Sequence, residues 1–270
     1  PPGHGDIYTA LLASGLLDAL LDKGYRYAMT ANSDNLGAAP SARIAGWFAA
    51  SGAPYAPEMC RRTPADVKGG HLAVRKSDGR IILRDTAQTP EDQMHYFTDQ
   101  FRHPFFHTNN LWFDLKVLRD TLADRGGILG LPLIRNSKTV DPADSSSTPV
   151  IQLETAMGAA VEAFEGATAI EVPRSRFLPV KTTNDLLLVR SDVYEVDDDG
   201  LLQMVPDQAC TVSLDPRFYK KIQDFEARFP DGVPSIKDAQ SLTVDGDWTF
   251  GADVVATGEA HVEAEGSPGR

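Results

Sequence analysis

The chain predicts an α/β fold that ends in a parallel β-helix, and three observations carry that reading. From residue 1 to about 214, helical and strand signals alternate, as in a domain whose helices cover a sheet. From Leu242 a six-residue period sets in. Leu242, Trp248, Val254 and Ala260 share one phase; Val244, Phe250, Ala256 and Val262 share a second, two places on; Gly246, Ala252, Gly258 and Ala264 mark a third, small-residue phase. Simple strand alternation would explain each pair but not the small residue that returns every sixth place, whereas hexads are a signature of a parallel β-helix. Finally, 42% hydrophobic and 24% charged residues over 270 positions is the balance of a globular protein with one large domain, or a large and a small one.

The elements follow in order. Residues 7–21 predict a helix, with Ile7, Leu11, Leu12 and Leu16 on one face, Asp6 as N-cap and Gly24 as the stop. Residues 25–31 read as a central strand that ends in Asn32-Ser33-Asp34-Asn35. Residues 72–74 and 81–83 flank Asp78-Gly79 and predict a hairpin. Residues 154–164 read as a helix with a face of small side chains that can sit close to a sheet. Residues 169–172 and 177–180 are extended, and 186–189 is a short buried run of either type. Residues 217–229 predict one amphipathic helix (Phe218, Ile222, Phe225, Phe229), followed by a polar linker at 230–234. The chain therefore divides into 1–215, a connecting helix and linker at 216–240, and the start of a β-helix at 241–270. Four hexads make little more than one coil, and a repeat needs neighbours to bury its apolar face. The coil is expected to lean on the first domain or to continue past the last residue.

Composition excludes several functions. A net charge of −12 argues against nucleic acid as a partner, because no basic stretch neutralises a run of phosphates. It leaves room for a small phosphorylated ligand held by a few local cations or a metal. No apolar run approaches the roughly 20 residues of a membrane span. Cys60 and Cys210, alone and far apart, fit reduced thiols in a cytoplasmic protein better than a disulfide framework. The start, Pro1-Pro2-Gly3-His4-Gly5-Asp6, is neither a signal peptide nor a transit sequence. It lacks a Met and opens inside what reads as a loop, so the expectation is a chain truncated at its N-terminus.

Four segments carry candidate chemistry, each with a plain structural alternative. Gly3-His4-Gly5-Asp6 precedes a helix start, where glycines let backbone approach an anion and His4 can reach a hydroxyl or phosphate; the alternative is a capped loop. Asn32-Ser33-Asp34-Asn35 lies beyond the carboxyl end of a strand, where open α/β sheets bind ligands. A carboxylate there suits Mg²⁺ on nucleotide phosphates, and amides suit sugar hydroxyls; the alternative is a polar turn. Thr108-Asn109-Asn110 offers donors and acceptors for paired hydroxyls, or a helix N-cap. His103 and His107 are separated by Pro104, so they do not form a helical metal pair, and no zinc pattern appears elsewhere. In Val172-Pro173-Arg174-Ser175-Arg176-Phe177-Leu178-Pro179-Val180-Lys181, two prolines stiffen an extended segment that delivers Lys181 as a point charge for a phosphate, or as a solvated surface cation. Arg174 and Arg176 read as partners in structural pairs.

In this order, PPGHGD at 1–6, ANSDNLG at 31–37, ADVKGG at 65–70, TNNLW at 108–112, VIQLETA at 150–156 and VPRSRFLPVKTTNDLLLV at 172–189 resemble the eukaryotic-type UTP–glucose-1-phosphate uridylyltransferases, also called UDP-glucose pyrophosphorylases. The resemblance implies a Rossmann-like nucleotide-diphospho-sugar transferase (GT-A-like) mixed sheet, followed by a left-handed parallel β-helix. It implies a reversible, Mg²⁺-dependent nucleotidyltransferase of the cytoplasm that makes UDP-glucose and pyrophosphate from UTP and glucose 1-phosphate. Carried over by position, Gly3 would line the uridine nucleotide site and His4 would approach the glucosyl phosphate. Asn32, Ser33 and Asp34 would contact the nucleotide sugar, with Asp34 also holding Mg²⁺. Asn109 would bind the sugar, and Lys181 would be the catalytic cation on the phosphates.

One departure is visible: the family usually has Asn where His107 stands. The family's Gly-rich nucleotide loop, a nearby lysine and a uracil-binding glutamine lie upstream of PPGHGD, so this chain by itself is expected to be inactive or nearly so. The central expectation is that Asp34 and Lys181 converge on one triphosphate-sized cleft. Two alternatives stay open: a related pyrophosphorylase acting on N-acetylglucosamine 1-phosphate, and a non-catalytic module that binds a sugar nucleotide or assembles subunits. The β-helix is the surface through which the resemblance would build a homo-oligomer.

Overall fold

The structure, a computed structural model, describes residues 2–63, 66–86, 89–142 and 144–263. Pro1, Ala65 and Ala264, which belong to the motifs and hexads above, lie outside them. The chain forms two compact units, Pro1–Asn32 with Pro40–Arg174, and Ser33–Ala39 with Ser175–Arg270.

In the first unit the strands are β1 (Tyr27–Thr30), β2 (Tyr55–Arg61), β3 (His71–Val74), β4 (Ile81–Arg84), β5 (Phe105–Asp114), β6 (Leu133–Thr139), β7 (Pro149–Thr155) and β8 (Ile170–Glu171). The helices are α1 (Ile7–Ala13), α2 (Leu16–Asp22), α3 (Ala42–Ser51), α4 (Met94–Phe97) and α5 (Leu115–Asp124). The main sheet runs β1-β5-β2-β8, antiparallel except for the parallel pair β2 and β8, and so is mixed. The ten-residue β5 takes the centre because its second half, ending in Leu111-Trp112-Phe113, is buried throughout. β1 is not central as its sequence suggests. Among the described residues it pairs only with β5, and its outward Tyr27 stays exposed. Two hairpins, β3–β4 and β6–β7, stand apart from that sheet.

The predicted helix over 7–21 is two helices. Gly15 adopts φ 73°, a left-handed value, and breaks the ladder between α1 and α2. Asp6 caps nothing with its side chain, because it closes a 3₁₀ turn over His4–Asp6 and is itself helical. The helix expected over 154–164 begins later: Glu154 belongs to β7, and Met157–Ala163 is a 3₁₀ helix with all but one residue buried. Its small side chains suit that tight approach. The core joins Tyr8, Tyr55, Leu111, Phe113 and Leu118 from helices and sheet to Met157 and Ala160. Tyr8 and Tyr55 both donate their hydroxyls to the Met157 carbonyl, at 2.9 and 3.0 Å, and burial raises both phenol pKa values.

The second unit holds α6 (Thr183–Arg190), β9 (Tyr194–Val196), β10 (Leu202–Met204), β11 (Thr211–Leu214), α7 (Pro216–Tyr219), α8 (Ile222–Arg228), β12 (Ala239–Asp245) and β13 (Gly258–Glu263). The run 186–189 is helical, inside α6. Residues 217–229 form two short helices, because Lys221 is extended (φ −93°, ψ 144°) between them. Asp215 caps α7 at the Arg217 N–H, and Pro216 occupies the first turn, where a missing N–H costs nothing. Strands β11, β12 and β13 are all parallel. Leu242 faces Ala260 and Val244 faces Val262, so like phases of the hexad stack in register. The apolar phases pack with Tyr219, Phe225 and Phe229 in a second core.

Candidate active site

The first unit brings together Gly3, His4, Asn32 and Asn109 with two residues outside the predicted set, His107 and Gly158. The Pro2 carbonyl accepts from the Thr155 N–H at 2.9 Å, so the N-terminal motif is strapped to the end of β7. Gly3 has φ 85°, and a Cβ there would stand 2.6 Å from the Thr155 carbonyl oxygen. Only glycine fits such an approach at positive φ. His4 Nδ1 accepts from the Met157 N–H at 2.9 Å, which leaves the ring proton on Nε2 for a ligand. Lost hydration lowers the His4 pKa, against the opposing pull of Glu154 and Asp85. The Met157 peptide is thus gripped at both ends, by His4 and by the buried tyrosine pair.

Asn109 is one of two non-glycine residues with positive φ among those described, at 64°. Its Nδ2 donates to Asn32 Oδ1 at 2.8 Å, and its N–H donates to His107 Nδ1 at 3.0 Å. The trio at 108–110 is strand, not a helix N-cap; Asp114 caps α5 instead. Its two outer members are structural. Thr108 Oγ1 donates to the Glu58 carbonyl at 2.8 Å, and Asn110 Nδ2 to the Glu58 carboxylate at 3.0 Å. The fully buried Glu58 carboxylate also accepts from Trp112 Nε1 at 2.8 Å. No local signal marks Glu58, because all of these partners come from β5.

The second unit sets Ser33 and Asp34 beside the run that ends in Lys181. Val180 donates to the Asp34 carbonyl at 2.8 Å, and Leu36 to the Leu178 carbonyl at 2.9 Å. Asn35, buried, ties the two segments: Nδ2 donates to the Arg176 carbonyl at 3.1 Å, while Oδ1 accepts from Leu178 at 2.8 Å and Gly37 at 3.1 Å. A Cβ at Gly37 would lie 2.7 Å from the Arg176 carbonyl carbon, so the segments can close only over glycine. Asp34 is half-buried, and its Oδ1 is buried without a hydrogen-bond partner among the described residues. Lys181 is exposed, and no ion-pair partner faces its ammonium among the described residues. Its N–H donates to Asp185 Oδ2 at 3.0 Å, just ahead of a capping box between Thr182 and Asp185 that starts α6.

Arg174 pairs with Asp66 at 2.6 and 3.1 Å, and Arg176 donates to the Ala39 carbonyl at 2.9 Å, both structural contacts. His103 stacks on His71 at 3.8 Å rather than joining His107. Among the described residues no group of three or more His, Cys, Asp or Glu side chains is placed to hold a metal ion. The donor set, one carboxylate with an orphaned oxygen, fits Mg²⁺ that takes its other ligands from phosphates and water.

Comparison with known proteins places these residues in a family context. Residues 1–256 match the family model described as UTP–glucose-1-phosphate uridylyltransferase. The enzyme of that name from Solanum tuberosum is 41% identical over 269 residues, which is 98% of this chain and 54% of that protein. Its counterpart from Saccharomyces cerevisiae is 40% identical over 261 residues, 96% of this chain and 51% of that protein. A UDP-glucose phosphorylase structure from Trypanosoma brucei superposes with TM-score 0.87 at 45% identity, covering 99% of this chain and 58% of that one. A mutant UDP-glucose pyrophosphorylase from Leishmania major in complex with UDP-glucose superposes with TM-score 0.83 at 45% identity, covering 100% and 61%. The chain thus spans about half the length of the curated relatives it matches.

Proposed function

Since the chain belongs to the UTP–glucose-1-phosphate uridylyltransferase family, we propose that it serves the reversible transfer of a uridylyl group between UTP and glucose 1-phosphate. The observation that supports the reading is the backbone pairing of 33–36 with 178–180, which brings the chain at exposed Lys181 within one residue of Asp34, whose Oδ1 is buried without a partner among the described residues. A phosphate oxygen of glucose 1-phosphate attacks the α-phosphorus of UTP as the bond to pyrophosphate breaks. No covalent enzyme intermediate is required. Holding two polyanions against their repulsion, and stabilising charge that grows on the α-phosphoryl oxygens, supplies most of the acceleration.

In this reading Lys181 is the cation on those oxygens, and Ser33 and Asp34 contact the nucleotide sugar. Asp34 is the protein ligand for Mg²⁺, which when bound neutralises nucleotide phosphate charge. Asn32 and Asn109 hold the glucosyl hydroxyls through the Asn32 Nδ2 and Asn109 Oδ1 that their mutual bond leaves over. His4 Nε2–H meets the glucosyl phosphate, and Gly3 allows the backbone to reach the nucleotide. The parallel register of β11, β12 and β13 supports reading 241–263 as the first coil of a left-handed β-helix, the surface for any homo-oligomer. Cys60 and Cys210 are buried and in no disulfide, which supports a reducing, cytoplasmic setting. Among the described residues no helix is long and apolar enough to cross a membrane.

Calorimetry with UDP-glucose and UDP tests the proposal. UDP-glucose should bind more tightly than UDP, and Asn109→Ala should erase the difference. Equal binding of the two ligands by the unaltered protein would reject the sugar assignment.

A further inference from the structure

We infer that His107 is a positioning residue that braces a bulge in β5 and so fixes Asn109 toward the sugar. The inference deepens the reading of Asn109 as a sugar-binding side chain and rests on it. In the pairing of β2 with β5, Pro57 faces Leu111 and Met59 faces His107, so the single residue Glu58 stands opposite 108–110. Extra residues on one strand re-aim a side chain, and bulges of this kind recur next to active sites. Asn109 is the middle residue of the bulge, at φ 64°. That left-handed conformation costs a non-glycine residue of order 1 kcal/mol, least for Asn and Asp, and needs bonds that hold it.

Those bonds come from the flanking side chains. Asn110 donates its N–H to Thr108 Oγ1 at 3.2 Å, while Asn109 donates its own to His107 Nδ1 at 3.0 Å. Each is a contact from residue i+2 back to a side chain at i, the local pattern that competes with a regular ladder. The imidazole cannot swing away, since it lies against Gly158, where a Cβ would stand 2.7 Å from Cε1 and 3.0 Å from Nε2. Its Nε2 is buried with no partner among the described residues, and Nδ1 is the ring atom that accepts from the bulge. Burial also holds the pKa down to about 4, so the ring is neutral near neutral pH, and the Asn109 N–H selects the tautomer whose Nδ1 accepts. Gly70 accepts the His107 N–H at 2.7 Å, fixing the backbone from which the ring projects.

The test compares His107→Leu, which removes the acceptor, with His107→Asn, whose Oδ1 hangs from Cγ as Nδ1 does. Two readouts are taken on this chain: hydrogen exchange of the Asn109 amide, and the ratio of UDP-glucose to UDP affinity. Expected for His107→Leu is exchange at least about tenfold faster and a preference for UDP-glucose reduced by about tenfold, equivalent to one hydrogen bond of roughly 1.4 kcal/mol. His107→Asn should restore both. Unchanged Asn109 exchange in His107→Leu, or an Asn variant no better than the Leu variant, overturns the inference. An Asn109→Ala chain that keeps its full preference sinks instead the sugar assignment of Asn109, and the sugar half of this inference with it. Were UDP-glucose bound neither by this chain nor by one that spans the full length of the relatives, the reading of the site would fail, and amide exchange alone would decide whether His107 braces the bulge.

Discussion

Lys181 stands one residue before a capping box, at a helix start whose own dipole is positive. The Asp185 carboxylate in the first turn already offsets that charge, and the exposed Lys181 ammonium is left for a phosphate. In steady-state turnover of a protein that spans the full length of the relatives, Lys181→Ala should lower kcat by roughly a hundredfold or more, with a smaller change in KM for glucose 1-phosphate. A rise in KM with kcat intact would contradict its role on the reacting phosphates. Gly3 makes a different kind of demand, set by space and by φ 85°. Gly3→Ala should destabilise the fold by about 1–3 kcal/mol, read from the urea midpoint at unchanged slope. Both residues were legible in the sequence, because a lysine after two prolines and a glycine flanking a histidine are local patterns. Glu58 and Gly158 were not, and His107 showed only as a departure from the family's Asn. What they do depends on pairing between distant strands, which spacing along the chain does not encode.

At the scale of elements, the clamp between 33–37 and 175–180 is the feature that matters most. Asn35 supplies three of its hydrogen bonds, and removing the side chain leaves two part-buried N–H donors and one carbonyl without those partners. Asn35→Ala should cost about 3 kcal/mol on the scale of roughly 1 kcal/mol for each bond, measured by chemical denaturation, and should weaken nucleotide binding with it. A loss below about 0.5 kcal/mol, the level of ordinary surface substitutions, would mean that the clamp holds little. The sequence showed both segments of this clamp, a polar run after a strand and an extended run, but not that they meet. Helices were legible as hydrophobic periodicity but not in their breaks. Gly15 and Lys221 interrupt patterns whose apolar spacing runs on across them, because left-handed or extended backbone at one residue leaves that spacing nearly unchanged. The helix expected over 154–164 was legible in place but not in kind: Met157–Ala163 is 3₁₀, and its residues are small and nearly all buried. β1 looked central because it is apolar and short, yet centrality belongs to the sheet order and not to the strand.

For the whole molecule, acid sensitivity follows from imidazoles that burial keeps neutral. Desolvation lowers the pKa of His107 to about 4 and, with help from the nearby His103 and arginines, that of His71 to about 3. An unfolded chain binds protons at these groups near the ordinary histidine value of 6.5, so it takes up more protons than the folded one between there and the depressed values. Stability is therefore full above about pH 6.5 and falls as pH drops toward 3–4, by up to about 1.4 kcal/mol per unit for each group. Urea midpoints between pH 7 and 4.5 should show this decline, and His71→Phe should flatten part of it; a midpoint independent of pH would refute the assignment.

The hexads were the most legible feature of the molecule, since stacking like phases is the same fact as a repeat in sequence. β11 joined that stack without belonging to the period, and so escaped notice. The account as a whole turns on whether these residues meet a nucleotide sugar. A ¹H–¹⁵N NMR titration with UDP-glucose, and with UDP as control, asks this directly. The predicted result is that the side-chain amides of Asn32 and Asn109 shift with UDP-glucose alone, while the backbone amides of Asp34 and Lys181 shift with both ligands. Shifts confined to other residues, or identical spectra with the two ligands, would contradict it.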